Sequence, residues 1–133
     1  MAKSFKVQMN PTFKGAVKIP RLGGDPLAVT FEFIALDRRK LAAVFDNWKK
    51  ENFAMIEQAQ KAEEDGNPFT LAQWADLEIA LQVKQIKDVV KGWGFDDEFN
   101  DENIEELVNS SISVTEAILE QYNEGYTRAR EGN

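Results

Sequence analysis

The chain has 133 residues, 43% of them hydrophobic and 29% charged, the proportions of an ordinary globular protein with a single core. Sixteen Lys and Arg against 23 Asp and Glu give a net charge of -7, and there is neither cysteine nor histidine. That composition excludes disulfides, thiolate nucleophiles, His-based acid–base dyads and most zinc sites, so the expectation is a non-enzymatic protein with no catalytic, cofactor-binding or metal-binding residue.

The longest stretch free of charge, Gly66 to Ala75, is ten residues, against the roughly 20 that a membrane-spanning helix needs. With no apolar signal core at the N-terminus, the chain is expected to be soluble and intracellular, with no membrane partner. The charge is polarised: residues 1–40 carry eight basic and three acidic side chains, and residues 96–133 carry two basic and eleven acidic ones. Ends of opposite sign can satisfy one another within one molecule or between copies stacked head to tail, so self-association belongs among the expectations.

In chain order, residues 1–35 read as β-rich and residues 37–133 as helical, together one domain over 1–133. Phe5, Val7 and Met9 alternate with polar residues, as do Val17 with Ile19 and then Leu27, Val29, Phe31 and Phe33. Between the last two runs, Pro20-Arg21-Leu22-Gly23-Gly24-Asp25-Pro26 predicts a hairpin with a long tip. From Asp37, a candidate N-cap, the period becomes helical as far as Glu64, with Leu41, Val44, Phe45, Trp48, Met55, Ile56, Ala59 and Ala62 on one stripe and Phe53 off it. At roughly 40 Å this helix exceeds the width of a compact domain of this size, so its second half is expected to project.

Asp65-Gly66-Asn67-Pro68 breaks the chain, and Thr70 caps a helix expected from Leu71 to about Lys91, ended by Gly92. Trp74, Leu77 and Leu81 form one apolar face of that helix; Ile79, Val83, Ile86 and Val90 form another, nearly opposite. It therefore wants cover on two sides, either from the first helix and the sheet or from a partner on one of them. A short helix is expected over Asp101 to Asn109. Ser113 and Glu116 then suggest a capping box, stapled by Ile112, for a last helix through Ile118, Tyr122, Tyr126 and Ala129, which Gly125 weakens by roughly 1 kcal/mol relative to alanine. The fold class is thus α+β, an N-terminal antiparallel hairpin or small sheet packed on a bundle of about four helices.

Four constellations invite a chemical reading. Seven carboxylates fall between Asp96 and Glu106, but a calcium loop begun at Asp96 would need glycine sixth and glutamate twelfth, where the chain has Asp101 and Leu107; a solvated acidic turn fits better. Gly92-x-Gly94 lacks the preceding strand pattern, lysine and hydroxyl of a nucleotide loop and reads as a tight turn. Trp93, Phe95 and Phe99 either plug the core or anchor a partner. Lys3, Phe5, Lys6, Phe13, Lys14 and Lys18 make the N-terminal sheet the best nucleic-acid candidate, which keeps a small nucleic-acid-binding regulator as the alternative function although the acidic C-terminal third argues against such a partner.

Three stretches resemble the tail assembly chaperones of long-tailed bacteriophages and prophages. They are Phe5-Lys-Val-Gln-Met-Asn-Pro-Thr-Phe-Lys14 with the following Lys-Ile-Pro-Arg-Leu-Gly-Gly24; Leu81-Gln-Val-Lys-Gln-Ile-Lys-Asp-Val-Val-Lys-Gly-Trp-Gly-Phe-Asp-Asp-Glu-Phe99; and Tyr122-Asn-Glu-Gly-Tyr-Thr-Arg-Ala-Arg-Glu-Gly-Asn133. The resemblance implies a non-enzymatic assembly factor of the host bacterial cytoplasm. It would bind the tape measure protein, help recruit the tail tube protein and be absent from the mature virion. It assigns no binding residues. From the residues themselves, the candidates for partner contact are Phe53, Met55 and Ile56 on the first helix, Ile79, Val83, Ile86 and Val90 on the second, and Trp93, Phe95 and Phe99 beyond it.

Overall fold

The computed structural model describes residues 11–21 and 23–131. In chain order the elements are β1 (Thr12–Ile19), β2 (Leu27–Ile34), α1 (Arg38–Glu64), α2 (Leu71–Val89), β3 (Val90–Trp93), α3 (Asp101–Ser110) and α4 (Ile112–Glu131). This is the expected α+β architecture, an antiparallel sheet of order β1-β2-β3 with four helices. The strand expected around Phe5, Val7 and Met9 lies outside the described residues.

β1 and β2 pair from Thr12 opposite Ile34 to Ile19 opposite Leu27. Alternation then sends Val17, Ile19, Val29, Phe31 and Phe33 to one face, where all are buried, and Lys14, Lys18 and Thr30 to the other, where all are exposed. The hairpin tip turns at Gly23, whose φ of +73° suits glycine, and the Arg21 side chain donates to the Asp25 carbonyl at 2.7 Å.

α4 lies across the apolar face of this sheet. Val114, Ile118 and Tyr122 of α4 are buried against the sheet residues and against Ile104 and Val108 of α3 and Ile86 and Val89 of α2. Phe13 packs on Phe33, Tyr122 and Tyr126 with ring centres 5.3, 5.6 and 6.4 Å apart. The Tyr122 and Tyr126 hydroxyls donate to the carbonyls of Ile34 and Leu36 at 3.1 and 2.7 Å, tying the strand-to-helix connection to α4. Gly125 is where Phe13 meets the helix: a Cβ there would stand 2.7 Å from the Phe13 ring. The glycine that costs the helix propensity is required by this approach.

Two expectations need correction. α2 does not run to Lys91. It ends at Val89, and Val90 enters β3 with no intervening loop, its N–H still bonded to the Ile86 carbonyl. Val90 pairs with Phe33 and Trp93 with Phe31 across a bulge between Glu32 and Phe33, so the segment read as a tight turn is a strand within the region read as helical. The periodic series Ile79, Val83, Ile86, Val90 continues the helical pattern, but the open edge of β2 offers Val90 a ladder that local sequence cannot show. The second correction is at α4, which opens at Ile112. The Ser111 hydroxyl accepts from the Ser113 N–H at 3.3 Å, and Ile112 is 86% exposed and staples nothing.

The other caps form as expected. Asp37 accepts from the Lys40 N–H at 2.9 Å, and Thr70 with Gln73 makes a reciprocal capping box. α1 turns back on α2 at Gly66, φ +82°, making a helical hairpin.

Two measurements test this packing. Helix propensity alone predicts that Gly125→Ala stabilises the protein by about 1 kcal/mol; the Phe13 contact predicts the opposite sign, a loss of about 1–3 kcal/mol in urea unfolding. Because α1 has no buried residue, its amides from Met55 onward should exchange with deuterium well before those around Ile118, through local opening short of global unfolding.

Candidate protein-binding surface

Polar contacts take part in docking α1 on α2. The Trp48 indole N–H donates to the Asp88 carboxylate at 2.7 Å, and Lys84 pairs with Glu51, which also accepts from Asn47 at 2.7 Å. The hydrogen bond to Glu51 raises the Lys84 pKa above its ordinary value. Leu41 and Trp48 reach the margin of the core. Further along, α1 runs beside α2, and the two helices form an arm to the Asp65-Gly66 turn, where Phe69 packs edge-on to Trp74 at 5.6 Å.

The partner-contact candidates fall on different surfaces. Met55 lines a groove between the arm helices with Ala54, Leu77, Ala80 and Leu81, and Glu51 and Gln58 stand at its rim. Phe53 lies roughly 150° round α1 from the Trp48–Met55 side at 100° per residue and is 59% exposed. Ile56 at 38% and Phe45 at 40% lie to one side of it. Phe45 was expected within the covered stripe. Its ring rests on Trp48, tilted by 53° with ring centres 5.3 Å apart.

Ile79 and Val83 of α2 are half-buried against the core, while Ile86 of α2 and Val90 at the start of β3 are 0% and 2% exposed and form part of it. In this arrangement Ile86 and Val90 are not presented to a partner, because β2 and α4 already occupy their side of the helix. The two-sided cover that α2 requires comes from within the chain: α1 on the Leu77–Leu81 side, and the sheet with α3 and α4 on the other.

Trp93, Phe95 and Phe99 take the first of the two roles expected of them, packing as plugs at the margin of the core. Trp93 meets Phe31, Phe95 and Phe99 edge-on at 6.2, 5.0 and 5.0 Å, and its indole N–H donates to the Asp97 carbonyl at 2.8 Å. The rings thereby close the β3 edge of the core. Their outer flank, Trp93 and Phe95 with Asn103, Glu106, Leu107 and Ser110, forms a shallow pocket beside α3. The α3 residues of that pocket escaped sequence reasoning, which had no means of placing α3 beside β3.

The acidic segment before α3 is held by its own turn. Asn100 caps α3 through the Asn103 N–H at 2.9 Å, the Asn103 amide donates to the Glu98 carbonyl at 2.8 Å, and Asp101 pairs with Lys87 at 2.7 Å. Among the described residues no three acidic side chains converge on a spacing that would hold a metal ion. The outward face of the sheet carries Lys14 and Lys18, with Glu32 in register with Lys14; Lys3, Phe5 and Lys6 lie outside the described residues. Among the described residues no helix is long and apolar enough to cross a membrane.

What the site offers is apolar surface: a groove along a two-helix arm, an exposed outer helix face and an aromatic pocket, each open to another polypeptide. No curated protein and no solved structure matches the chain significantly. A family model for phage tail assembly chaperones matches residues 1–133, its whole length, and with the likeness already seen in its motifs the chain belongs to the phage tail assembly chaperone family.

Proposed function

We propose that the protein binds the tape measure protein in the cytoplasm of the host bacterium, keeps that long apolar client soluble, helps recruit tail tube subunits to it, and departs before the virion is complete, in the service of a phage or prophage. The observation that carries this reading is the α1–α2 arm, whose 27-residue first helix contains no buried residue. A helix of that length with nothing buried gains little from its own fold; its apolar side chains are available to another chain. The Met55 groove suits an amphipathic client helix. Leu77 and Leu81 lie one turn apart, matching side chains at i and i+4 of a docking helix, and Ala54 and Ala80 allow close backbone approach. Met55 adapts its shape to different side chains, which fits a client that offers many similar helices.

Trp93 and Phe95 supply a second anchor beside α3, at the far end of α2 from the arm's tip. Surplus negative charge keeps a protein with this much exposed apolar surface from clumping.

Co-expression with the tape measure protein of the same genome tests the reading. The client should become soluble and co-elute with the chaperone on a sizing column. The paired substitution Met55→Glu and Leu81→Glu should weaken that complex at least about tenfold by placing carboxylates in a desolvated contact. Unchanged client solubility with no complex would refute the proposal, and finding the protein in purified virions by mass spectrometry would refute its departure.

A further inference from the structure

We infer that the outer face of α1 pairs antiparallel with the same face of a second copy, about a two-fold axis passing at Phe53. The inference stands on α1 alone and does not depend on which client the arm binds.

Phe53 is the most exposed aromatic side chain of the arm and points away from α2, with Ile56 beside it. Lys49, Phe53 and Glu57 are spaced four residues apart and so form one row along the helix surface. Lys49 sits about 6 Å along the axis on one side of Phe53 and Glu57 about 6 Å on the other, at 1.5 Å per residue. Antiparallel pairing about Phe53 therefore brings each copy's Lys49 level with the other's Glu57, twice by symmetry. Neither residue has an ion-pair partner within the chain among the described residues.

The charge of the whole helix has the same sense. From Arg38 to Lys50, α1 carries five basic side chains and one acidic; from Glu51 to Glu64 it carries four acidic and one basic. A parallel pairing would set like charge against like along its length, whereas the antiparallel one sets opposite against opposite. The acidic half also runs against the unfavourable end of the helix dipole, since carboxylates are disfavoured near a C-terminus. An antiparallel neighbour brings its basic first half there.

A contact made by one helix face is at the small end of stable interfaces, so association in the micromolar range is expected. Sedimentation equilibrium of the full chain at about 100 µM and low salt should report twice the 15.1 kDa of one chain, with dissociation favoured as salt rises. Lys49→Glu alone and Glu57→Lys alone each place two like-charged pairs in the symmetric dimer and should weaken it at least about tenfold. An equimolar mixture of those two variants restores every pair and should dimerise again, as should the double variant in one chain. Phe53→Asp should be monomeric with its circular dichroism unchanged.

A wild-type chain that stays at 15.1 kDa up to about 200 µM would overturn the inference, as would single variants that dimerise like wild type or a mixture that fails to recover. Client solubilisation by the same variants is read separately. Loss of the dimer with client binding intact leaves both readings standing, and a client failure with the dimer intact sinks only the functional one.

Discussion

The architecture follows from a single packing constraint: the apolar face of a three-stranded sheet has to be covered, and α4 covers it by letting the Phe13 ring rest on its backbone at Gly125. That contact fixes the level of α4 along β1. The Tyr122 and Tyr126 hydroxyls then hold the exit of β2, and α3 and the last turns of α2 fill the remaining sides of the core. Once Val17, Phe31, Phe33, Ile86, Val89, Ile104, Val108, Val114, Ile118 and Tyr122 are packed together, no apolar face of the sheet is left for α1. The helix that leaves β2 at Ala35 is directed outward because the place it would have taken belongs to the C-terminal helix.

The uncovered helix is therefore a consequence of topology rather than of weak sequence. Its stripe of Leu41, Val44, Trp48 and Met55 is genuinely amphipathic, but it faces one helix instead of a sheet. Part of what holds it is directional and partly solvated, Trp48 to Asp88 and Glu51 to Lys84. Polar contacts of this kind fix register while contributing modestly to stability, about 0.5–1.5 kcal/mol for a hydrogen bond and less for an exposed ion pair.

Local signals in the sequence reported local structure faithfully. Asp37 and Thr70 cap where their side-chain oxygens predicted, Gly66 turns where it was placed, and the strand alternation of residues 17–33 sorts inward from outward residues. The failures share one cause. Val90 continues a helical series in the sequence and leaves it in the structure because the partner that claims it, Phe33, lies 57 positions earlier. Ser113 looked like a cap because Glu116 follows at the right spacing, yet Ser111 sits at the actual break between α3 and α4. Phe45 was placed on a covered stripe since periodicity gives direction and not the extent of what lies in that direction. The same limit applies to the binding surface: Met55 and Phe53 could be picked out as apolar, but that one joins a groove and the other faces away depends on where α2 crosses.

The exposed surface and the charge of the chain then bear on one another. Leu27, Phe45, Phe53, Ile56, Leu71 and Ile112 are large apolar side chains left in water, three of them on α1. A neutral chain with that surface would associate without orientation, whereas a net charge of -7 sets a repulsion that only an arrangement matching opposite charges can overcome. Along α1 the charge changes sign near its midpoint, so the repulsion is weakest for a neighbour lying in one direction. The acidic stretch around α3 lies close to the Trp93–Phe95 pocket, with Glu106 in its lining, and discourages a second acidic copy from docking there. Charge thus distinguishes the apolar surfaces from one another: the α1 face is basic along its first half and acidic along its second, whereas the aromatic pocket carries Glu106 in its lining, so the electrostatic complement of each is different.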